Sequence, residues 1–107
     1  MNEKKPIFHG PIFERSVPIK KGYDNVVNIP ETPLEAGRYA AINFGFRYTD
    51  QANPQGAIRV VEAYPNQDMT QFKVRFYNEE NATISVEVGI IFAENYPHLS
   101  SNQENQS

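Results

Sequence analysis

The chain has neither cysteine nor tryptophan among its 107 residues. Without cysteine there is no disulfide framework, no thiol nucleophile and no thiolate-held metal. Histidine occurs twice, as His9 and His98. Neither falls on a predicted strand that faces a cleft, so neither is assigned a catalytic role. The six glycines are scattered, and none forms G-x-G-x-x-G or a P-loop, so no phosphate cradle is expected. Long apolar runs are missing as well. The longest, Gly89-Ile90-Ile91-Phe92-Ala93, is far too short to cross a bilayer. No apolar stretch follows Met1-Asn2-Glu3-Lys4-Lys5-Pro6, which gives no secretory core. The expectation is a chain made in the cytoplasm, free of membrane, that reaches the outside only by release or as part of a virion. Positive charge is not in excess: 10 Lys and Arg stand against 13 Asp and Glu, a net charge of −3. That balance disfavours nucleic acid as a partner.

Clustered ligands for chemistry are also scarce. His9 with Glu14, and Glu94 with His98, are the only nearby histidine–carboxylate pairs in the sequence, and both read as incidental. Asp50, Glu62, Asp68, Glu79 and Glu80 fall at predicted loops or strand ends and read as acidic turns. No metal, no cofactor and no catalytic residue is expected, and the chain is read as non-enzymatic.

What the sequence does have is aromatic residues (seven Phe, six Tyr), many side-chain amides, and a period of two. Ala40, Ile42, Phe44, Phe46 and Tyr48 alternate with Tyr39, Ala41, Asn43, Gly45 and Arg47, as in a half-buried strand. Phe72, Val74 and Phe76 alternate with Lys73, Arg75 and Tyr77. Ile84, Val86, Val88, Ile90 and Phe92 alternate with mostly polar or small residues. Ala57–Tyr64 is β-rich, but Val60 and Val61 adjoin, which predicts either burial on both faces or a bulge. A shorter run, Val26–Ile29, follows Gly22-Tyr23-Asp24-Asn25, read as a turn. Leu34-Glu35-Ala36-Gly37 reads as one helical turn or the lead into a strand. Loops are predicted at 50–56 and 65–68, and a four-residue hairpin at Asn78-Glu79-Glu80-Asn81. The sequon Asn81-Ala82-Thr83 reads as a polar turn before a strand. No segment sustains helical spacing over ten residues. The fold class expected is all-β: an antiparallel six-stranded β-sandwich or small jelly roll, almost without helix, its last four strands forming a meander.

One domain accommodates this length, divided into three parts. Residues 1–20 form an apolar, proline-rich arm or edge strand, 21–97 the sandwich, and 98–107 a polar, disordered tail with almost no apolar residue. Within the arm, Pro-Ile-Phe occurs at 6–8 and again at 11–13. Two prolines so close forbid a central strand. Ile7, Phe8, Ile12 and Phe13 are too apolar to stand in water without loss, at roughly 1.5–3 kcal/mol for each large side chain. The arm therefore packs, either as an edge strand on its own sandwich or across a neighbouring subunit. The second case implies a homo-oligomer, which is the expected assembly.

Recognition is the remaining signal. Arg38, Arg47, Arg59, Lys73 and Arg75 lie on predicted strands, with Tyr39 and Tyr77 among them. Tyr39, Arg47, Arg59, Arg75 and Tyr77 are the candidate ligand-binding residues, for a glycan or a protein surface. An assembly subunit of phage or surface-layer type, whose arm packs on its neighbour, is the alternative role.

Three segments carry a family resemblance: Gly56-Ala57-Ile58-Arg59-Val60-Val61-Glu62-Ala63, Met69-Thr70-Gln71-Phe72-Lys73-Val74-Arg75-Phe76 and Thr83-Ile84-Ser85-Val86-Glu87-Val88-Gly89-Ile90-Ile91-Phe92-Ala93. Their succession is a basic-apolar strand, a strand opened by Phe, and a last strand ending in an aromatic and Ala. Across residues 41–94 this layout resembles the H-type lectin domain. The resemblance implies a six-stranded antiparallel sandwich, assembly into trimers or hexamers, and sugar binding. The family usually carries tryptophans in its last two strands, where Tyr77 and Phe92 stand here. Its sugar-contacting pattern has no counterpart, so no binding residue is carried over.

Overall fold

A computed structural model of the chain describes residues 7–50, 53 and 56–94. Their six strands are β1 (Ile7–Ile19), β2 (Gly22–Ile29), β3 (Tyr39–Tyr48), β4 (Ile58–Pro65), β5 (Phe72–Asn78) and β6 (Ile84–Glu94), with no helix among them. They form two three-stranded sheets, β1-β6-β3 and β2-β5-β4, in which every pairing is antiparallel. The all-β, six-stranded antiparallel expectation holds. The tail expected at 98–107 lies outside the described residues.

Alternation builds the core. Ile84, Val86, Val88 and Ile90 of β6, with Ile19 of β1 and Ala41 of β3, meet Val27, Ile29, Ile58, Val74 and Phe76 of the second sheet in one buried cluster. Two aromatic pairs bridge the layers: Phe46 meets Phe76 edge-on with centroids 5.2 Å apart, and Phe44 meets Phe72 at 5.7 Å. Phe76, Ile19, Ile29, Val74, Val86 and Val88 are fully buried, each contributing roughly 1.5–3 kcal/mol from the water it loses.

The connectivity departs from the expected meander. Only β4 and β5 form a hairpin; the other four connections cross between sheets. The segment read as a hairpin at 78–81 is one of the crossings. Asn78 makes the crossing there. It is fully buried, its Nδ2 donates to Ile19 O (2.9 Å) and Ala82 O (2.9 Å), and its Oδ1 accepts from Glu80 N (2.9 Å). A buried amide so held fixes the direction in which the chain leaves β5. Asn25 does the same between β1 and β2: its Oδ1 accepts from Lys20 N (2.9 Å), and its Nδ2 donates to Lys20 O (2.8 Å). Asn66 closes the β4–β5 hairpin by accepting from Thr70 N (2.8 Å) and Gln71 N (3.0 Å). Hydrophobic periodicity carries no information about such crossings, which polar side chains decide.

Register shifts account for the other departures. A bulge between Ala41 and Asn43 re-phases β3, so Ala41 is buried and Ile42 is exposed, against the simple alternation. A bulge between Val60 and Glu62 lies in β4. It is the bulge that the adjoining valines suggest, but β4 is an exposed edge and not a strand buried on both faces. β2 starts at Gly22, so Tyr23 belongs to a strand and not to a turn. The segment read as one helical turn or the lead into a strand is a tight turn that leads into β3: Arg38 N and Tyr39 N both donate to Glu35 O, and Gly37 takes φ +90°, which a helix does not allow.

From Ile7 onward the proline-rich arm is an edge strand paired in cis with β6, the place that Pro11 allows. Its close approach depends on glycine. Gly10 has φ +108°, a conformation costly for residues with a Cβ. A Cβ on Gly89 would lie 2.8 Å from Ile12 O and 3.0 Å from Phe13 Cα.

Candidate functional site

The five candidate ligand-binding residues do not converge. Tyr39 and Arg47 lie on β3, in the first sheet; Arg59 lies on β4 and Arg75 and Tyr77 on β5, in the second. Arg47, Arg59, Arg75 and Tyr77 sit at positions that alternate with core residues or pair with such positions, on the solvent faces of their sheets.

On the first sheet these side chains are occupied. Phe13 pairs with Gly89, which pairs in turn with Gly45. The absence of side chains there lets the Phe13 ring lie across the sheet, 3.9 Å from where a Gly45 Cβ would be. Arg47 caps the ring, its Cζ 4.0 Å from the centroid, while its Nε donates to Glu87 at 2.6 Å. Phe13 is thus packed by its own chain. Ile7, Phe8 and Ile12 are not: they are 51%, 65% and 50% exposed. Tyr39 stands at the far end of the sheet, edge-on to Phe92 at 5.4 Å. His9 stacks on the same Phe92 (5.0 Å) and shares a hydrogen bond with Glu94 Oε1 at 2.8 Å. The sequence pairing of His9 with Glu14 is therefore replaced by a cross-strand pair with Glu94. Glu94 also lies 3.7 Å from Arg38. Among the described residues no group of three His, Asp or Glu gathers as a metal site would require.

On the second sheet three of the candidates adjoin, and a fourth residue joins them. Tyr23 of β2 stacks on Tyr77 of β5, centroids 4.3 Å apart and rings inclined by 29°. Tyr23 is 57% exposed. Arg59 lies on the other side of Tyr77, its Cζ 5.9 Å from the ring centroid, and its NH2 donates to Glu79 at 2.7 Å. One step along β5, Arg75 donates to Glu62 (3.2 Å) and to Tyr23 O (3.2 Å). The result is an open aromatic platform flanked by two guanidinium–carboxylate pairs. Tyr23 escapes the sequence reading because its neighbours Gly22, Asp24 and Asn25 carry turn chemistry. The tyrosine three residues before the apolar run was the signal available.

A cleft of about 360 Å³ runs between β1 and β2, lined in part by Arg15, Val17, Val26 and Glu31. Its charged groups are already engaged. Arg15 NH2 donates to Asn28 O (2.7 Å), Arg15 pairs with Glu14, and Glu14 accepts from Glu31 N (2.8 Å). These contacts join the two sheets along that edge, and the cleft reads as a seam rather than a ligand site. The amides nearest the core (Asn25, Asn66 and Asn78) likewise serve turns and crossings rather than a ligand.

Comparison with protein-family models, with curated proteins and with solved structures finds no match to the chain.

Proposed function

We propose that this chain is a non-enzymatic, self-associating binding module that takes neutral carbohydrate on the outer face of the β2-β5-β4 sheet. The observation that carries this reading is the stacked Tyr23–Tyr77 pair, exposed at Tyr23 and half-buried at Tyr77, between the Arg59–Glu79 and Arg75–Glu62 pairs. A sugar ring presents an apolar C–H face and a rim of hydroxyls that both donate and accept. Tyrosine rings offer the apolar surface with little rotamer freedom to lose. Guanidinium groups donate to the rim, and carboxylates accept from it. A polyanion fits less well, because Glu62 and Glu79 stand beside each arginine and repel it. The resemblance of residues 41–94 to H-type lectins points to the same ligand class.

The test is a glycan array with the wild-type chain, followed by competition with millimolar chitotriose, cellotriose and mannotriose, and with heparin as the anionic control. Binding that a neutral trisaccharide displaces supports the reading. Binding to heparin alone, or to nothing on the array, overturns it.

A second reading, an assembly subunit, is favoured by Ile7, Phe8 and Ile12, which remain about half or more exposed although β1 is paired in cis. In that case a neighbouring subunit covers them. Replacing all three with Ser is expected to lower the solution mass to that of a monomer while leaving the fold intact by circular dichroism.

A further inference from the structure

β4 is an edge of the second sheet, and every residue after Ile58 in it is exposed. Val60, Val61 and Tyr64 are 37%, 43% and 45% exposed. An apolar, unpaired edge is a template for another strand. The corresponding edge of the other sheet, β1, carries Pro11 and Pro18, which lack the N–H that an added strand needs. β4 has no proline before its last residue, Pro65.

The register adds a charge pattern. Arg59 pairs with Tyr77 and Glu62 with Arg75 on the solvent face, with the bulge between Val60 and Glu62. In a regular strand, residues three apart point to opposite faces. The bulge instead puts Arg59 and Glu62 on one face of one edge. We propose that β4 pairs antiparallel with β4 of a second copy, about a two-fold axis between Val60 and Val61. Arg59 then stands opposite Glu62 of the partner subunit, twice by symmetry. Val60 lies opposite Val61 of the partner subunit, and both leave water. A shift of one residue in either direction breaks both ion pairs, and in one direction sets Val60 against a carboxylate, so the register is specified.

Within each chain Arg75 already holds Glu62 at 3.2 Å, and Glu79 holds Arg59 at 2.7 Å. Pairing joins these into a row of four groups: Arg75, Glu62, then Arg59 and Glu79 of the partner subunit. Signs alternate along the row, so no like charges are neighbours. The joined sheets form one six-stranded sheet, β2-β5-β4 continued by its symmetry mate. A two-fold axis normal to the sheet keeps both Tyr23–Tyr77 platforms on the same side. Their β5 strands lie three interstrand spacings apart, about 14 Å. A ligand with repeated units then meets two sites at once, and the second contact forms at high effective concentration. The inference rests on the self-associating binding module proposed above and names the surface through which it associates.

The test is sedimentation velocity on the wild type, on R59E, on E62R and on an equimolar mixture of the two variants, with circular dichroism to check the strand signal. An R59E chain offers two carboxylates at this edge and an E62R chain two guanidinium groups, so each repels its own kind and attracts the other. The expected result is a twofold fall in mass for each variant alone and recovery of the wild-type mass in the mixture. A wild-type oligomer that both variants retain overturns the β4 pairing and leaves self-association standing. A monomeric wild type overturns both, while the glycan array reports on the platform separately. Should charge reversal unfold the chain, the lack of native cysteine supplies a second route. V60C mixed with V61C is expected to crosslink on oxidation, whereas V60C mixed with D24C on the β2 edge is not. No crosslink in the first mixture, or equal crosslinking in both, overturns the proposal.

Discussion

The solvent faces of the two sheets use the same residue types to opposite ends. On β1-β6-β3, Phe13 lies over Gly45 and Gly89 and is capped by Arg47. On β2-β5-β4, half-buried Tyr77 is flanked by Tyr23 and Arg59, and it is Tyr23 that stays open to solvent. An arginine beside an aromatic on a strand is thus no site by itself. The residues beneath decide. Where the neighbouring strands carry glycine, the ring drops onto the backbone and the arginine becomes its lid. Where they carry side chains, the ring stacks against a neighbouring ring, and Tyr23 is left exposed. The first face packs on itself, and the second is the one proposed above to take a ligand.

Four substitutions test that contrast, in order of expected effect on stability. Gly89→Ala should be the most damaging, at about 3 kcal/mol. Its Cβ meets the β1 backbone at 2.8 Å, and an edge strand must move to admit it. Phe13→Ala removes the ring and uncovers both glycines, at about 2 kcal/mol for a half-buried aromatic. Arg47→Ala loses a cation–π lid and an exposed ion pair with Glu87, at about 1 kcal/mol. Tyr23→Ala should cost about 0.5 kcal/mol, yet abolish saccharide binding, which the other three leave in place when folded. Urea denaturation measures all four. A Tyr23→Ala loss as large as that of Phe13→Ala would remove the distinction between the faces. So would an Arg47→Ala chain that no longer binds saccharide.

Strand content was legible because one face of each main strand is apolar. Val74 and Phe76, and Ile84 to Ile90 in steps of two, announce their burial. The two prolines of the arm also announced an edge. The path between strands was not legible. The crossing at Asn78 looks like a hairpin in sequence, since the amide that redirects the chain acts through backbone carbonyls 59 and 4 residues away. The bulge at Ala41–Asn43 exposes Ile42, which no period anticipates. Of the four platform residues, three were legible: Arg59, Arg75 and Tyr77 were read from strand alternation, and they do adjoin. Tyr39 and Arg47 share the same pattern but belong to the other sheet. Sequence alternation assigns a residue to a face, and only strand pairing assigns it to a sheet.

The most direct measurement is a 15N–1H correlation titration of the wild-type chain with chitotriose, cellotriose and mannotriose. The account expects saturable shifts at Tyr23, Arg59, Arg75 and Tyr77 with at least one of the three sugars, and none at Phe13, Gly45, Arg47 or Gly89. Shifts confined to the Phe13–Arg47 face, or no saturable shift with any of the three at millimolar concentration, would contradict it.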